Sequence, residues 1–491
     1  MRALLAGIGA LAIGLSGAAT AGDAAAAPTA QRIQWGRCDP GIFPVDRPEN
    51  RRVQCGTFRA PRDWNHPGDG HSITIAVSRQ LPRHGRPQGT IFTNPGGPGS
   101  PGRFMAASMS RLADRFQILG MDVRGTGGST NVSCGETAAA APATMDPRDR
   151  SPQNIRAMLA ATAAATRACQ RAMGALGPFI TTEQTVHDID LFRRLLHVGR
   201  LDYYGLSDGT WLGAYYATYF PARVGAMVLD SVVDVSGTRQ QAAAEQPMGS
   251  QRRFDADFLP WVARYDATYH LGTSAAAVDR GYEALRARLA AHPQLLPGVG
   301  RVDGGTLDQL IVGEIKSKYA FPTLAAQLRD LAGAQAAAPA ATAPDAAGAT
   351  AIALACNDTP FRGGQAGAVI DSGLQGLRYP LFGWQQIFQP CATWHRPPVH
   401  LPKPTGRGVP PILLVNSVYD PATPYEGALR THRTLAGSRL ITVTGEGDHG
   451  LYGDTNECVD SLVDGYFRSQ RPPHTDLRCP GVPLPKPPNG P

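Results

Sequence analysis

The chain has 491 residues, of which 42% are hydrophobic and 18% charged, and it contains 56 glycines and 42 prolines. This composition is typical of a loop-rich globular protein, with one large domain and an insertion or with two domains, and it excludes a coiled coil or a disordered chain. The net charge of +7 comes from 47 basic and 40 acidic residues scattered without long runs, which argues against a nucleic-acid partner.

The first predicted element is an export signal. Arg2 precedes an apolar stretch from Ala3 to about Gly17, and Ala19-Thr20-Ala21 matches the small-residue pattern of a cleavage site. The stretch is shorter than the ~20 residues needed to span a bilayer. We therefore expect a signal peptide at 1–21, a secreted (extracellular) protein and no stable membrane insertion.

Seven short runs rich in β-branched, aromatic and leucine residues predict strands. They are Ser72 to Val77, Thr90 to Thr93, Phe116 to Val123, Leu201 to Tyr204, Ala226 to Val233, Ile412 to Asn416 and Leu440 to Thr444. Segments with helical periodicity lie between many of them, for example Val186 to Leu196 and Trp211 to Tyr219. This alternation predicts an α/β fold with a mostly parallel central sheet and helices on both faces.

The alternation stops after Val233 and resumes at Pro410, which indicates a mainly helical insertion. Helices are predicted at Phe254 to Tyr269 and Ala276 to Ala291, and the Ala/Pro-rich run from Ala334 to Ala349 predicts a mobile surface loop. The predicted organisation is a core at 22–234, a cap or lid insertion at 235–405, and the rest of the core at 406–491.

Eight cysteines predict a set of disulfide bonds, because the count is even and the chain carries an export signal. No two cysteines lie closer than Cys38 and Cys55, so the close pairs of a metal site are missing. The simplest pairing joins sequence neighbours, since each bond then closes a short loop: Cys38 with Cys55, Cys134 with Cys169, Cys356 with Cys391, and Cys458 with Cys479.

The strongest functional motif is Gly205-Leu206-Ser207-Asp208-Gly209, between a predicted strand and a predicted helix. A Gly-x-Ser-x-Gly unit in this context is typical of the nucleophile elbow, in which a strained turn exposes the serine at the carboxyl edge of the sheet. An ordinary strand-to-helix loop is the alternative for the five residues alone. The motif predicts Ser207 as a nucleophile.

A glycine-rich loop, Asn94-Pro95-Gly96-Gly97-Pro98-Gly99, follows an earlier predicted strand. Esterases and peptidases of the α/β-hydrolase type use such a loop to stabilise an oxyanion. A phosphate-binding loop is disfavoured because the Lys-Ser/Thr ending is missing. We expect the oxyanion to be held by the backbone N–H of Asp208 and by one from Gly96 or Gly97.

An acid and a base follow in the chain order that this fold requires. Asp420 comes after one predicted strand and His449 after the next, with a predicted helix, Glu426 to Leu435, between them. The order Ser, Asp, His matches α/β-hydrolases. In the implied mechanism Ser207 attacks a carbonyl, His449 transfers the proton and Asp420 orients the imidazole, so no metal or organic cofactor is required.

Four other residues compete for these roles. Asp230 ends the strand after the elbow helix and is an alternative acid, whereas Asp448 is interpreted as a loop-forming residue that points away along the chain. His432 lies within a predicted helix and His474 in a proline-rich tail, so solvent-facing positions are expected for both.

The neighbouring His187 and Asp188 carry a different hypothesis, that of a metal site. They lie in a helical stretch with no third ligand evident, so capping or surface positions are expected instead.

Motifs along nearly the whole mature chain resemble the secreted α/β-hydrolases of the tripeptidyl aminopeptidase type, with a C-terminal region like theirs, and more distantly the proline iminopeptidases. The matching stretches are Asp63-Trp64, Asn94 to Gly99, Gly120 to Gly127, Gly205 to Thr210, Val228 to Ser231, Ala355 to Asp358, Asp420 to Pro424, and Gly447 to Gly450.

The resemblance implies a peptidase that removes short peptides or single residues from a free N-terminus, with a helical cap over the serine. Such an enzyme must bind an α-ammonium group, and the candidate acids are Asp358, which adjoins a matching motif, and Glu245, Asp255 and Asp257. A salt bridge or a solvated side chain is the alternative for each of them.

Two positions depart from the family pattern. The family usually has tyrosine after the nucleophile, whereas this chain has Asp208, and the cap segment Trp261 to Tyr269 lacks a cysteine pair that relatives often have. A buried carboxylate at Asp208 would oppose the oxyanion unless it turns away, binds a cation or receives the substrate ammonium.

The leading hypothesis is a secreted serine aminopeptidase that acts on peptides, tripeptide release included. An esterase or amidase using the same triad on small-molecule substrates is the alternative, and a non-catalytic binding protein on this scaffold is disfavoured by the complete set of Ser207, Asp420 and His449.

Overall fold

A computed structural model describes residues 30–135, 145–296, 299–333, 345–453 and 456–487. The predicted signal peptide at 1–21 lies outside these residues, as does most of the loop predicted at 334–349. The described end of that loop corrects the prediction, because a helix begins at Ala346.

Ten strands of the described chain form one sheet, and two more form a small hairpin in the insertion. The strands are β1 (Gly36–Arg37), β2 (Val53–Pro61), β3 (Ser72–Gln80), β4 (Thr90–Asn94), β5 (Gln117–Met121), β6 (Leu201–Leu206), β7 (Val224–Asp230), β8 (Gln294–Leu296), β9 (Gly300–Val302), β10 (Leu413–Ser417), β11 (Arg439–Thr444) and β12 (Leu477–Pro480). The large sheet has the order β1-β2-β3-β5-β4-β6-β7-β10-β11-β12.

The sheet is antiparallel at its first edge and parallel elsewhere. β1, β2, β3 and β5 pair antiparallel in that order, and every later pair is parallel. β4, β5, β7 and β10 are buried at every position, as expected for strands covered on both faces. This is the mostly parallel sheet of an α/β-hydrolase fold, as the sequence predicts.

Fourteen α-helices are described. They are α1 (Pro152–Ala172), α2 (Thr182–Leu195), α3 (Asp208–Tyr219), α4 (Arg239–Ala243), α5 (Gln246–Arg253), α6 (Leu259–Arg264), α7 (Asp266–Tyr269), α8 (Ala275–Ala291), α9 (Gly304–Glu314), α10 (Phe321–Ala332), α11 (Ala346–Asp358), α12 (Gly364–Arg378), α13 (Tyr425–Thr434) and α14 (Glu457–Ser469).

Alternate residues of the strands face two different apolar clusters. Phe92 of β4 and Tyr203 of β6 pack with residues of α2, α3 and α13, whereas Ile91 and Tyr204 pack on the opposite face with residues of α14. The helices between β7 and β10 have a separate apolar cluster, to which α6, α8, α9 and α10 contribute. Most helices of this segment therefore share an interior of their own, whereas α11 packs on the core sheet through Ala349, Ala353 and Leu354.

The structure moves several predicted boundaries. The strand predicted to Val233 ends at Asp230, where the chain turns through Ser231 at a φ of 53°. The helix predicted at Phe254 to Tyr269 is divided into a π-helical turn at Phe254–Phe258 and the short helices α6 and α7. Pro260 lies in the first turn of α6, where a missing N–H is tolerated. Five strands have no counterpart among the predicted runs: β1, β2, β8, β9 and β12.

Four disulfides join the described cysteines in the pairing of sequence neighbours. The bonds are Cys38–Cys55, Cys134–Cys169, Cys356–Cys391 and Cys458–Cys479, and no described cysteine is free. In the described part of the chain, no helix has both the length and the apolarity that a membrane span requires.

Candidate active site

Ser207 occupies a strained turn between β6 and α3. Its φ is 58° and its ψ −126°, a conformation that a side-chain-bearing residue rarely adopts. Its N–H donates to the carbonyl oxygen of Asp230 at 2.9 Å. The tight turn needs the flanking glycines: a Cβ at Gly205 would collide with the carbonyl of Gly209, and a Cβ at Gly209 would lie 2.6 Å from the carbonyl oxygen of Asn94.

The glycine-rich loop after β4 lies directly against this turn. A Cβ on Gly96 would lie 2.6 Å from the backbone nitrogen of Asp208, so only glycine allows this approach. The N–H of Gly96 already donates to Asn94 Oδ1 at 2.9 Å. The N–H of Gly97 has no acceptor among the described residues, and Gly97 lines the same cavity as Ser207. Of the two glycines, Gly97 is therefore the one with a free donor.

His449 and Asp420 are in contact, as neighbouring strand ends bring their loops together. His449 Nδ1 lies 3.0 Å from Asp420 Oδ2 and 3.1 Å from Oδ1. Because an ionised carboxylate only accepts hydrogen bonds, Nδ1 is the donor and Nε2 is left able to accept a proton. Thr423 supports the pair, since its backbone N–H and its hydroxyl both donate to Asp420, at 2.9 and 3.0 Å.

Asp420 is an anion held by its surroundings. Its side chain is fully buried. Burial alone would raise the pKa of Asp420, but His449, the N–H of Thr423 and the hydroxyl of Ser231 hold that pKa below its ordinary value. The carboxylate is therefore charged at neutral pH and able to stabilise an imidazolium.

Ser207, His449 and Thr423 line one cavity of about 180 Å³. Its walls come from the core and from the helical insertion, and it is lined by Gly97, Pro98, Ser207, Asp208, Val232, Val233, Asp234, Arg239, Ala242, Ala243, Glu245, Gln246, Lys316, Ala355, Ala422, Thr423, Pro424, Gly427 and His449. The cavity is smaller than the ~300–1,000 Å³ typical of ligand sites.

Of the four acids predicted from the resemblance, only Glu245 lines this cavity. Its side chain is 22% exposed and pairs with Arg430. Asp358 is fully buried behind the wall, Asp255 is exposed and accepts from Gln251, and Asp257 pairs with Arg253 outside the cavity lining. The structure adds Asp234, which lines the cavity and pairs with Arg430 at 2.7 Å.

Asp208 binds a cation. Its carboxylate pairs with the guanidinium of Arg239, which also lines the cavity. Burial, together with the charge of Asp358, raises the pKa of Asp208, and Arg239 opposes that rise. Among the three alternatives that the sequence leaves open, the structure shows the bound cation.

The competing residues have other partners. Asp230 accepts from the backbone N–H groups of Leu451 and Tyr452, each at 2.9 Å, and so positions the loop after His449. Burial raises the pKa of Asp230 to about 6. His432 bonds to Ser438. His474 is exposed.

His187 and Asp188 correct the expectation of capping or surface positions. Asp188 is completely buried and pairs with Arg124 at 2.7 Å, while His187 lies against the rings of Trp64 and Phe220. The expectation was wrong because this face of α2 turns toward the core. Nowhere in the described ranges do three or more His, Cys, Asp or Glu side chains form a group suited to a metal ion.

Residues of the insertion bind the loop that carries His449. The sequence did not indicate this contact. Asp448 accepts from Arg253 at 2.6 Å and from the backbone N–H of Lys318 at 2.7 Å, so it does not point away along the chain. The ammonium of Lys318 pairs with Glu446 in the same loop. The N–H of His449 donates to the carbonyl of Lys316 at 2.8 Å. The insertion thus positions the candidate base.

Comparisons with known proteins match two family models, one for the alpha/beta hydrolase fold at residues 89–294 and one described as TAP-like protein at residues 379–479. A tripeptidyl aminopeptidase of Streptomyces lividans is 34% identical over 95% of this chain and 90% of its own length. A protein named Carboxylesterase B from Mycobacterium tuberculosis is 31% identical over 94% of this chain and 92% of its own. The serine protease Hip1 of Mycobacterium bovis is 27% identical over 91% of each chain.

Proposed function

The chain belongs to the tripeptidyl aminopeptidase family of α/β-hydrolases and is a serine hydrolase, and from that premise we propose that it releases short peptides, tripeptides above all, or single residues from free N-termini. The observation that carries the proposal is the contact of the buried, ionised Asp420 with His449, which lines the same cavity as Ser207.

In this mechanism Ser207 Oγ attacks the carbonyl carbon of the scissile bond, and His449 Nε2 takes the hydroxyl proton. The tetrahedral oxyanion receives hydrogen bonds from the N–H groups of Asp208 and Gly97. His449 then returns the proton to the leaving amine, which breaks the bond and leaves an acyl ester on Ser207. Water activated by His449 hydrolyses this ester, and Asp420 stabilises the imidazolium in both stages.

Recognition of a free N-terminus is assigned to Glu245. An α-ammonium group needs an accessible carboxylate, and Glu245 is the one predicted acid that lines the cavity. The lining carries three carboxylates, Asp208, Asp234 and Glu245. Asp208 pairs with Arg239, whereas Asp234 and Glu245 share the single guanidinium of Arg430.

The helical segment at 235–405 is proposed to act as the cap. It contributes α4 and the residues Glu245, Lys316 and Ala355 to the cavity wall above Ser207. A cap over Ser207 limits how much of a peptide fits on the N-terminal side of the scissile bond, which supports exopeptidase rather than endopeptidase action.

Matched chromogenic substrates test the proposal: a free-amine tripeptide amide, its N-acetylated twin, and short-chain nitrophenyl esters. We expect cleavage of the free amine and little cleavage of the twin. Equal cleavage of both would refute the aminopeptidase assignment. Ser207→Ala should abolish turnover and labelling by a fluorophosphonate, and retained activity in that variant would refute the triad.

Esterase or amidase activity on small molecules is the second candidate, favoured by the 31% identity to the protein named Carboxylesterase B. The same three residues would act on an ester. Turnover of the nitrophenyl esters without turnover of either peptide would favour this candidate.

Export is proposed together with the activity. Four disulfides fit an oxidising compartment. N-terminal sequencing of the protein recovered from culture medium should begin near residue 22, and an uncleaved N-terminus in the recovered protein would contradict the signal peptide at 1–21.

A further inference from the structure

Asp208 presents an electrostatic problem for the proposed reaction. It directly follows Ser207, its own N–H is assigned to the oxyanion, and its side chain is only 13% exposed. An ionised carboxylate in this position repels negative charge that develops on the substrate. It also offsets the positive potential at the N-terminus of α3, which begins at Asp208, and that potential would otherwise help to stabilise an oxyanion.

Arg239 contacts this carboxylate from the first position of α4. One of its terminal nitrogens pairs with Asp208, and the other donates to Asp358 Oδ2 at 2.9 Å. The guanidinium carbon lies 4.1 Å from the centre of the Trp211 ring, one helical turn after Asp208 on α3. The cation is thus held by two carboxylates and an aromatic face.

Asp358, the second partner of Arg239, is hydrogen-bonded to the core. Asp358 accepts from the backbone N–H and from the hydroxyl of Thr182 at the start of α2, each at 2.7 Å. The backbone N–H of Arg239 donates to the hydroxyl of Thr359 at 3.0 Å. Because its partners come from α2, α3 and α11, the guanidinium has one well-defined position, and it fixes the Asp208 carboxylate in turn.

We propose that Arg239 is a positioning residue for the hydrolysis: it neutralises the Asp208 carboxylate and holds it aside, so that the Asp208 N–H is free to stabilise the oxyanion. The inference rests on the proposed function, in which Ser207 is the nucleophile. It explains how this chain accommodates an acid directly after the nucleophile, since Arg239 supplies the positive charge that the acid requires.

Three variants test the inference: Arg239→Met, Arg239→Lys, and the double variant Arg239→Met with Asp208→Asn. Arg239→Met leaves the Asp208 carboxylate uncompensated, so we expect kcat on the free-amine tripeptide amide to fall about 10–100-fold with little change in KM. Arg239→Lys retains a cation and should lose less. The double variant removes both charges and should regain most of the lost kcat.

Arg286→Met is a matched control. Arg286 is also buried and also bridges two carboxylates, Asp146 at 2.7 Å and Asp308 at 2.9 Å, but none of the three lines the cavity. This variant should lose stability without losing kcat per active site. Active sites are counted by fluorophosphonate labelling, so that misfolded molecules do not enter kcat.

The outcomes separate the inference from the proposed function. Wild-type kcat in Arg239→Met, or a double variant as slow as Arg239→Met, would overturn the role of Arg239 while leaving the triad intact. A lysine variant as slow as the methionine variant would also contradict charge neutralisation. Activity in Ser207→Ala would instead refute the proposed function.

Discussion

Glu245→Gln is the sharpest test of how this enzyme selects its substrate. The change keeps the shape and hydrogen-bonding reach of the side chain and removes one negative charge from the cavity lining. We expect a lower kcat/KM for the free-amine tripeptide amide, because the substrate ammonium loses its charged partner, and unchanged hydrolysis of a nitrophenyl ester that carries no amine.

The size of the effect follows from the surroundings of Glu245. A hydrogen bond between charged groups contributes about 1.5–3 kcal/mol, and about 1.4 kcal/mol corresponds to a factor of ten. The carboxylate is 22% exposed and already pairs with Arg430. Solvent screening and this pairing place the loss at the lower end, about tenfold in kcat/KM.

The assay compares the two substrates in wild type, Glu245→Gln and the control Asp255→Asn. Asp255 is an exposed acid outside the cavity lining, so its variant should match wild type on both substrates. A tenfold loss confined to the amine substrate in Glu245→Gln alone is the expected result. Equal losses on both substrates, or none on the amine, would refute the assignment of Glu245.

Three further changes test other parts of the structure. Asp420→Asn keeps an acceptor for the N–H of Thr423 but lets His449 adopt the wrong tautomer, so kcat should fall about 10⁴-fold, measured per fluorophosphonate-labelled site; a loss below tenfold would contradict the role of Asp420. Burial raises the pKa of Asp202 to about 6. The folded chain therefore binds a proton on the Asp202 carboxylate more tightly than the unfolded chain does. The contribution of Asp202 to the free energy of unfolding falls as pH rises from about 4 to about 6. Asp202→Asn should therefore gain about 1–3 kcal/mol relative to wild type at pH 7.5, and gain less at pH 4.5, in urea unfolding; an equal effect at both pH values would contradict this. Lys318→Met leaves the buried Glu446 without its cation and should cost about 3–5 kcal/mol in the same measurement, whereas an unchanged urea midpoint would show that the pair does not hold the His449 loop.

The sequence predicts most of the sheet, because the fully buried strands have a strong local signature. β4, β6 and β10 lie within two residues of the predicted runs, since near-continuous apolar stretches end in turn residues. β2 and β12 are not predicted, because exposed positions interrupt their buried ones. Such strands are stabilised by neighbouring strands rather than by local composition.

The long-range ion pairs could not be predicted, because each joins residues that are far apart in the chain. Arg239 and Asp358 are 119 positions apart, and Lys318 and Glu446 are 128 apart. An isolated acid such as Asp358 is equally compatible with a ligand site and a salt bridge, and only packing distinguishes them. For the same reason Asp188 was expected at the surface although it is buried against Arg124.

The sequence by itself determined the local chemistry of this protein: a serine in a turn that only flanking glycines permit, with an acid and a base in the order of the hydrolase fold. These features depend on neighbouring residues and on strand order, which local composition encodes. The tertiary structure decided which charges meet: Glu245 in the cavity, Asp358 behind it, and Arg239 on Asp208. Charge pairing depends on distances between remote segments, and those distances are set only when the core and the helical insertion pack together.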